Sequence, residues 1–261
     1  RTLLEVDRFV NKVAASPNGD QILVSSFRGG VVLLSSRGSS IGLEGFPDQV
    51  QVDGIAFSAD GRLAAGAGGR WTPNERIIRI WDAESGELVT SLDAGEDFEP
   101  ESIQFTSEGH LLSASREGLQ QWDVSTGSRE LLHRGDVSEF SADRSGKLAM
   151  TLENVPGSTL YGTARLVDIE SDTTTRLRAF GDNVSRVAID PEGAFVVTGD
   201  GDGEIRVGEL NTNDPHLLLG QDSTVSALAV DPLKRWIASG GRDGTVRLLP
   251  MPDLSKPPLH T

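Results

Sequence analysis

The chain has 261 residues, enough for a large buried core, and its 24% charged and 5% aromatic residues are those of a folded protein rather than a disordered one. A formal net charge of −15 repels phosphate backbones and anionic membrane surfaces, and no apolar run approaches the ~20 residues of a membrane-spanning helix, so neither nucleic acid nor membrane insertion is expected. Cysteine is absent, which excludes disulfides, thiol catalysis and thiolate metal sites.

In chain order, a strand-like stretch ending in a tight polar turn recurs six times. The copies are Val13-Ala-Ala-Ser-Pro-Asn-Gly19, Ile55-Ala-Phe-Ser-Ala-Asp-Gly61, Ile103-Gln-Phe-Thr-Ser-Glu-Gly109, Phe140-Ser-Ala-Asp-Arg-Ser-Gly146, Val187-Ala-Ile-Asp-Pro-Glu-Gly193 and Leu228-Ala-Val-Asp-Pro-Leu-Lys234, the last without its glycine. The turns end 42, 48, 37, 47 and 41 residues apart, a period near 43 that matches a four-stranded propeller blade. Apolar residues alternate within each copy, which is the period of a strand and not of a helix. The glycine supplies a positive φ at the turn.

A second strand of small and apolar residues follows each turn, for instance Leu63-Ala-Ala-Gly-Ala and Phe195-Val-Val-Thr-Gly. A third then closes the unit: Val31-Val-Leu-Leu, Ile78-Arg-Ile-Trp81-Asp82, Leu119-Gln-Gln-Trp122-Asp123, Ala164-Arg-Leu-Val167-Asp168, Ile205-Arg-Val-Gly208-Glu209 and Val246-Arg-Leu-Leu249-Pro250. With Trp-Asp intact twice, and Asp202-Gly203 and Asp243-Gly244 as hairpin turns into the third strand, the chain resembles the WD-repeat family over essentially its whole length. The resemblance implies an all-β fold: a β-propeller of four-stranded antiparallel blades with six repeats, closing as six blades or forming part of a seven-bladed ring. The repeats fall near 7–43, 44–92, 93–132, 133–179, 180–219 and 220–253 of a single domain. Residues 1–6 form an outer closing strand that pairs beside Thr245–Leu249, and the tail 254–261 is its rival for that edge. The family pairs its Trp with Asp, Ser/Thr and a His before the first strand. No unit has that His, so complete tetrads are not expected, and Asp202 and Asp243 are expected to bond within their turns.

Chemistry is sparse. His110, His133, His216 and His260 fall on different repeats and are expected as surface or edge residues, which gives no Ser-His-Asp constellation. Gly199-Asp-Gly-Asp-Gly-Glu204 alternates carboxylates as a calcium loop does, but Ile205 stands where that loop needs glycine, so a hairpin turn is expected. No cofactor, no metal and no catalysis are expected.

Loops from strand two to three, and from strand four to the next strand one, open on the same face. Both large insertions lie in two-to-three loops: Gly68-Gly-Arg70-Trp71-Thr-Pro-Asn-Glu-Arg76 and Glu153-Asn-Val-Pro-Gly-Ser-Thr-Leu-Tyr161-Gly. Trp, Tyr and Arg are the residue types of interface hot spots, although Trp71 and Tyr161 could equally pin their own loops. The candidate partner-binding face therefore comprises Trp71, Arg70, Arg76, Tyr161, Lys12, Arg28, Asp53, Glu101, Arg116, Glu139, Arg186 and Arg242. The expected function is a non-catalytic protein–protein interaction scaffold or sensor module. A propeller enzyme with a metal or carboxylates in the channel is the alternative, and a spacer between neighbouring domains a third. The closing Pro-Asp-Leu-Ser-Lys-Pro-Pro-Leu-His segment is similar to the ends of WD-repeat regions in large bacterial signalling proteins, and 20 Arg against 4 Lys points to a G+C-rich genome. A protein or peptide partner, further domains in the same polypeptide and a cytoplasmic location follow as expectations.

Overall fold

The computed structural model describes residues 9–27, 30–47, 50–69, 76–95, 102–154 and 162–258. They group into two compact units, Arg1–Gly135 and Asp136–Thr261.

The first unit holds three four-stranded antiparallel meanders. Sheet one is Val10–Ala15 (β1), Gln21–Ser26 (β2), Val31–Ser35 (β3) and Ser40–Leu43 (β4). Sheet two is Val52–Phe57 (β5), Leu63–Gly68 (β6), Ile77–Asp82 (β7) and Leu88–Asp93 (β8). Sheet three is Ser102–Phe105 (β9), Leu111–Ser115 (β10), Gly118–Trp122 (β11) and Arg129–Arg134 (β12). The repeat boundary expected at 132/133 thus falls inside β12, because His133 and Arg134 still pair with Leu119 and Gly118.

The second unit continues the pattern. Sheet four is Val137–Ala142 (β13), Leu148–Asn154 (β14), Gly162–Asp168 (β15) and Thr173–Arg176 (β16). Sheet five is Val184–Ile189 (β17), Phe195–Asp200 (β18), Glu204–Glu209 (β19) and His216–Leu219 (β20). Sheet six has three strands among the described residues, Val225–Val230 (β21), Trp236–Gly241 (β22) and Val246–Pro250 (β23). The closing strand expected at 1–6 lies outside the described residues. Its rival fails where it is described: residues 254–258 form no strand, and Met251 and Leu254 instead turn back onto the core of sheets five and six.

In three of the first turns one polar side chain caps the loop. Ser16 Oγ accepts from Gln21 N–H at 2.9 Å, Ser58 Oγ from Leu63 N–H at 2.9 Å, and Asp143 Oδ1 from Leu148 N–H at 3.0 Å. The glycine three residues on takes φ of 75°, 73° and 76° at 19, 61 and 146. Lys234 holds that place in sheet six at φ 57°, a conformation that costs a residue with a Cβ roughly 1–2 kcal/mol.

Packing repeats with the sheets. Within each unit, the leading face of one sheet meets the first strand and trailing face of the next. Leu23, Val31 and Leu33 of sheet one pack with Val52, Ala64 and Trp81 of sheet two. Ile78 and Ile80 pack with Ile103, Phe105 and Trp122 of sheet three. In the second unit, Met150, Leu152 and Ala164 meet Val184, Val187 and Val196, and Val197, Ile205 and Val207 meet Val225 and Ile237. Small residues in the second strands let the sheets approach: a Cβ on Gly199 of β18 would lie 2.6 Å from Val225 of β21.

Candidate partner-binding face

Within every antiparallel meander, the start of the first strand and the two-to-three turn lie at one end. Five of the first strands slip register at the same place there: between Val10 and Lys12, Val52 and Gly54, Val137 and Glu139, Val184 and Arg186, and Val225 and Ala227. The extra residue of this bulge leaves the ladder, and its side chain is re-aimed. The residues so freed are Asn11, Asp53, Ser138, Ser185 and Ser226. Several use the freedom to tie neighbouring first strands. Asn11 Nδ2 donates to the Val52 carbonyl at 2.8 Å, and Ser185 Oγ to the Val225 carbonyl at 2.7 Å.

Asp53 is buried in this frame. Its Oδ1 accepts from Asn11 Nδ2 at 3.1 Å and from Gln51 Nε2 at 2.5 Å, while Oδ2 has no hydrogen-bond partner among the described residues. Arg186 is equally built in. Its Nε donates to the Ser226 carbonyl at 2.7 Å, its Nη1 to the Ser185 carbonyl at 2.5 Å, and the guanidinium lies 3.3 Å from Glu139. Asp53, Glu139 and Arg186 therefore brace neighbouring first strands. Lys12 is half-buried on the same strand position of β1. Arg116 and Arg242 are exposed at the two-to-three turns of sheets three and six, Phe27 is exposed at that of sheet one, and Arg76 is half-buried at the start of β7. Arg28, Arg70, Trp71, Glu101 and Tyr161 lie outside the described residues.

The Asp200 turn is a hairpin held by charge. Asp200 Oδ1 accepts from Asp202 and Glu204 N–H at 3.0 and 2.9 Å. Arg206 clamps the loop, with Nη1 2.7 Å from Asp200 Oδ2 and Nη2 on Glu204. Two of the three carboxylates that would ligate calcium, Asp200 and Glu204, are thus engaged by a guanidinium, and no group of three His, Asp or Glu set to hold a metal occurs among the described residues. Asp200, not Asp202, is the carboxylate that organises the turn. His216 corrects an expectation: it sits on an outer strand but is buried, whereas His110, in the turn before β10, and His133, on β12, are half-buried. His260 lies outside the described residues.

Sequence reasoning passed over Gln221. Its Nε2 donates to Ser239 Oγ and to the Ser239 carbonyl, both at 2.8 Å, and its Oε1 accepts from Thr245 Oγ1 at 2.7 Å. Thr245 also donates to Asp243 Oδ1 at 2.8 Å, and Asp222 N–H reaches Asp243 Oδ2 at 3.1 Å. A glutamine before the first strand thus joins Ser239 of β22 to the Asp243 turn, the position in which a histidine was looked for. The signal was there in Gln221-Asp-Ser-Thr-Val, but an amide gives no motif match.

At the other end of the first unit, a cavity of about 720 Å³ opens among the turns of sheets one and two, lined in part by Asp20, Arg37, Ile41, Arg62, Asp82 and Glu84. Its lining mixes both charge signs.

Comparisons with known proteins agree with this geometry. The "WD domain, G-beta repeat" family model matches residues 172–207 and 213–248. Each match begins at the outer strand of one sheet and runs through three strands of the next, so sequence repeat and sheet are one strand out of phase. Over 148 residues the chain is 24% identical to autophagy-related protein 16 of Arabidopsis thaliana, a match covering 53% of this chain and 27% of that one. The chain therefore spans about a quarter of that relative's length. Among solved structures, the WD40 repeats of RRP9 align over 95% of this chain and 78% of theirs, with a TM-score of 0.78 and 19% identity. The structure of U3-55K aligns over 95% and 79%, at a TM-score of 0.76 and 19% identity. Kuenenia stuttgartiensis hydrazine synthase aligns over 96% and 79%, at a TM-score of 0.74 and 16% identity. The fold is a β-propeller of four-stranded antiparallel blades.

Proposed function

For a chain that carries WD40 repeats on a β-propeller, we propose a non-catalytic role: a protein-interaction scaffold or sensor module within a larger bacterial signalling polypeptide. The observation that carries this reading is the rigid frame of bulged first strands, where Asn11, Asp53 and Ser185 are spent on bracing, surrounded by exposed loop residues such as Phe27, Arg116 and Arg242. Braced strands with exposed polar and aromatic loop tips suit recognition of another protein, which needs pre-organised anchors and a polar rim. They do not suit catalysis, which needs a convergent acid, base or metal. A net charge of −15 favours a basic partner segment. The arginine bias supports the bacterial source, and the relative's greater length supports a module of something longer.

Trp71 and Tyr161, which lie outside the described residues, are the anchors of choice on this reading, together with Arg70, Arg76 and Arg28. The test is quantitative affinity capture from the source cells with the wild-type chain and with Trp71→Ala and Tyr161→Ala. Loss of the same partner from both variants at unchanged thermal midpoint is expected. Capture that is indifferent to both substitutions would remove this face from the reading.

A further inference from the structure

The cavity among the turns of sheets one and two has a cause in the sequence. The residue after the Trp-Asp position donates its N–H to a carbonyl of the first turn in the same sheet: Ala83 to Arg62 at 2.8 Å, Ile169 to Lys147 at 2.8 Å and Met251 to Arg235 at 2.9 Å. At that place sheets three, five and six carry Val124, Leu210 and Met251, and each packs onto the core shared with the preceding sheet. Sheet two has only Ala83 there, in the core shared with sheet one. A methyl group in place of a longer aliphatic chain leaves an apolar floor of Leu33, Ile41 and Ala83, with Ile41 still 39% exposed. At about 720 Å³ the cavity falls within the ~300–1,000 Å³ of ligand pockets. It is held open by Gln21, whose Nε2 donates to the Ala83 carbonyl at 2.6 Å and so ties the two sheets beneath it.

Four turns border this floor. Asp20 and Arg62 come from the first turns of sheets one and two, and Arg37 and Glu84 from their third turns. The side chains of Asp20, Arg37 and Glu84 form no hydrogen bond or ion pair among the described residues. Arg62 has only a 3.8 Å contact with Asp60, at 85% exposure, which contributes little. Asp82, the remaining charge of the lining, is spent on its own turn, where its Oδ1 accepts from the N–H groups of Glu84 and Ser85 and from the Ser85 hydroxyl. Two free cations and two free anions thus surround one aliphatic hole.

We propose that this cavity is a second docking site, for a segment of a partner protein in which an aliphatic residue stands between an acidic and a basic one. The aliphatic side chain takes the place that Leu210 or Met251 fills in its own sheet. Arg37 and Arg62 meet the acidic neighbour, and Asp20 and Glu84 the basic one. A segment of single sign would bring like charges together on this lining, so a balanced one is favoured. The site lies at the other end of the first unit from Phe27 and Arg116, and it does not depend on the loop face as a binding surface.

Two blocked nonapeptides test this, with Glu-Leu-Lys or Lys-Leu-Glu at the centre of Gly/Ser flanks, titrated into the 261-residue chain and followed by amide NMR shifts. Saturable shifts at Ser36, Gly61 and Ala83 are expected from at least one of them, and about 10-fold weaker binding once glycine replaces the central leucine. Ala83→Leu, which copies sheet five, should weaken binding by about 10-fold at unchanged thermal midpoint. Arg37→Glu, at an exposed turn that leaves the core intact, should also weaken it. Trp71→Ala and Tyr161→Ala should leave it unchanged, so the two faces fail separately. No saturable shift at these three amides from either peptide would overturn the proposal. So would equal affinity for the glycine peptide, or equal affinity of the A83L and R37E chains for the leucine peptide.

Discussion

Lys234 Nζ lies 3.1 Å from Oδ2 of Asp190, a carboxylate with no solvent exposure on the preceding sheet. The same ammonium is 2.8 Å from Glu192 and 5.8 Å from the centre of the Phe195 ring. These contacts explain why sheet six lacks the turn glycine: the position that should relax the backbone instead supplies the cation for a buried acid. The ammonium is held charged more firmly than usual, by hydrogen bonds to Glu192 and Asp190.

Lys234→Gly tests which effect wins. The glycine relieves a left-handed backbone at φ 57°, worth roughly 1–2 kcal/mol. It also strands Asp190, whose Oδ1 already lacks a partner among the described residues. Leaving a buried charge unpaired costs about 3–5 kcal/mol, the larger quantity, although Lys234 is partly solvated. Net destabilisation by about 1–3 kcal/mol in urea unfolding is expected, and Asp190→Asn in the same chain should recover much of it. A K234G chain as stable as the wild type would show the pair to be inert.

The repeat was legible because its causes are local. A Ser or Asp that caps the first turn, a glycine three residues on and a period-two strand are all visible in Ile55–Gly61 or Val187–Gly193. The local role expected of Asp243 was legible for the same reason: its Oδ1 accepts from the Thr245 N–H and hydroxyl of its own turn. What Trp81 and Trp122 do was less so. Both are packed between sheets, but Trp122 Nε1 donates to Ser113 Oγ at 2.8 Å, while Trp81 Nε1 reaches the Glu44 carbonyl at 2.9 Å because Gly66 stands at the serine position. Partners that come from a different sheet leave no mark in a single repeat. That is also why Asp53, Glu139 and Arg186 looked like a free rim. Their charges are visible in the sequence, whereas the neighbouring carbonyls and side chains that engage them are set only by how sheets meet.

Gln221 should be the most consequential single amide in sheet six. Its Nε2 has a buried partner in Ser239, and its Oε1 accepts from the exposed Thr245. Gln221→Leu removes these bonds and leaves the buried Ser239 Oγ short of a partner, while Thr245 Oγ1 keeps Asp243 Oδ1, at about 1–3 kcal/mol. Gln221→His retains a donor and an acceptor on one ring and should lose less. Hydrogen exchange at Gly241 and Thr245 is the sharper readout, with faster opening in Q221L than in Q221H. Equal exchange in the two variants would mean that the network adds nothing beyond packing.

Acid stability follows from the turn carboxylates. Hydrogen bonds from the Ser125 hydroxyl, then from the backbone N–H of Ser125 and Thr126, hold the Asp123 carboxyl at about 2. Asp82 is lowered by the Ser85 N–H and hydroxyl, Asp168 by those of Ser171, and Asp243 by those of Thr245. Asp60 is lowered by the Ser58 hydroxyl and the Arg62 N–H, and Asp231 by Arg235. All these shifts share one sign. At pH values above the unfolded value of 3.8 the carboxylates are ionised in both states and their contribution is complete. As pH falls below it, the unfolded chain takes up protons first, and the contribution is lost progressively toward the folded value of about 2. The urea midpoint is therefore expected to be flat from neutral pH to about 4 and to drop steeply between about 4 and 2. Asp123→Asn keeps an acceptor for the turn but cannot titrate, so it should lower the midpoint at neutral pH and shallow the acid slope. A wild-type midpoint that stays constant down to pH 2, or a D123N slope as steep as that of the parent, would mean that these turns do not set the acid limit of the fold.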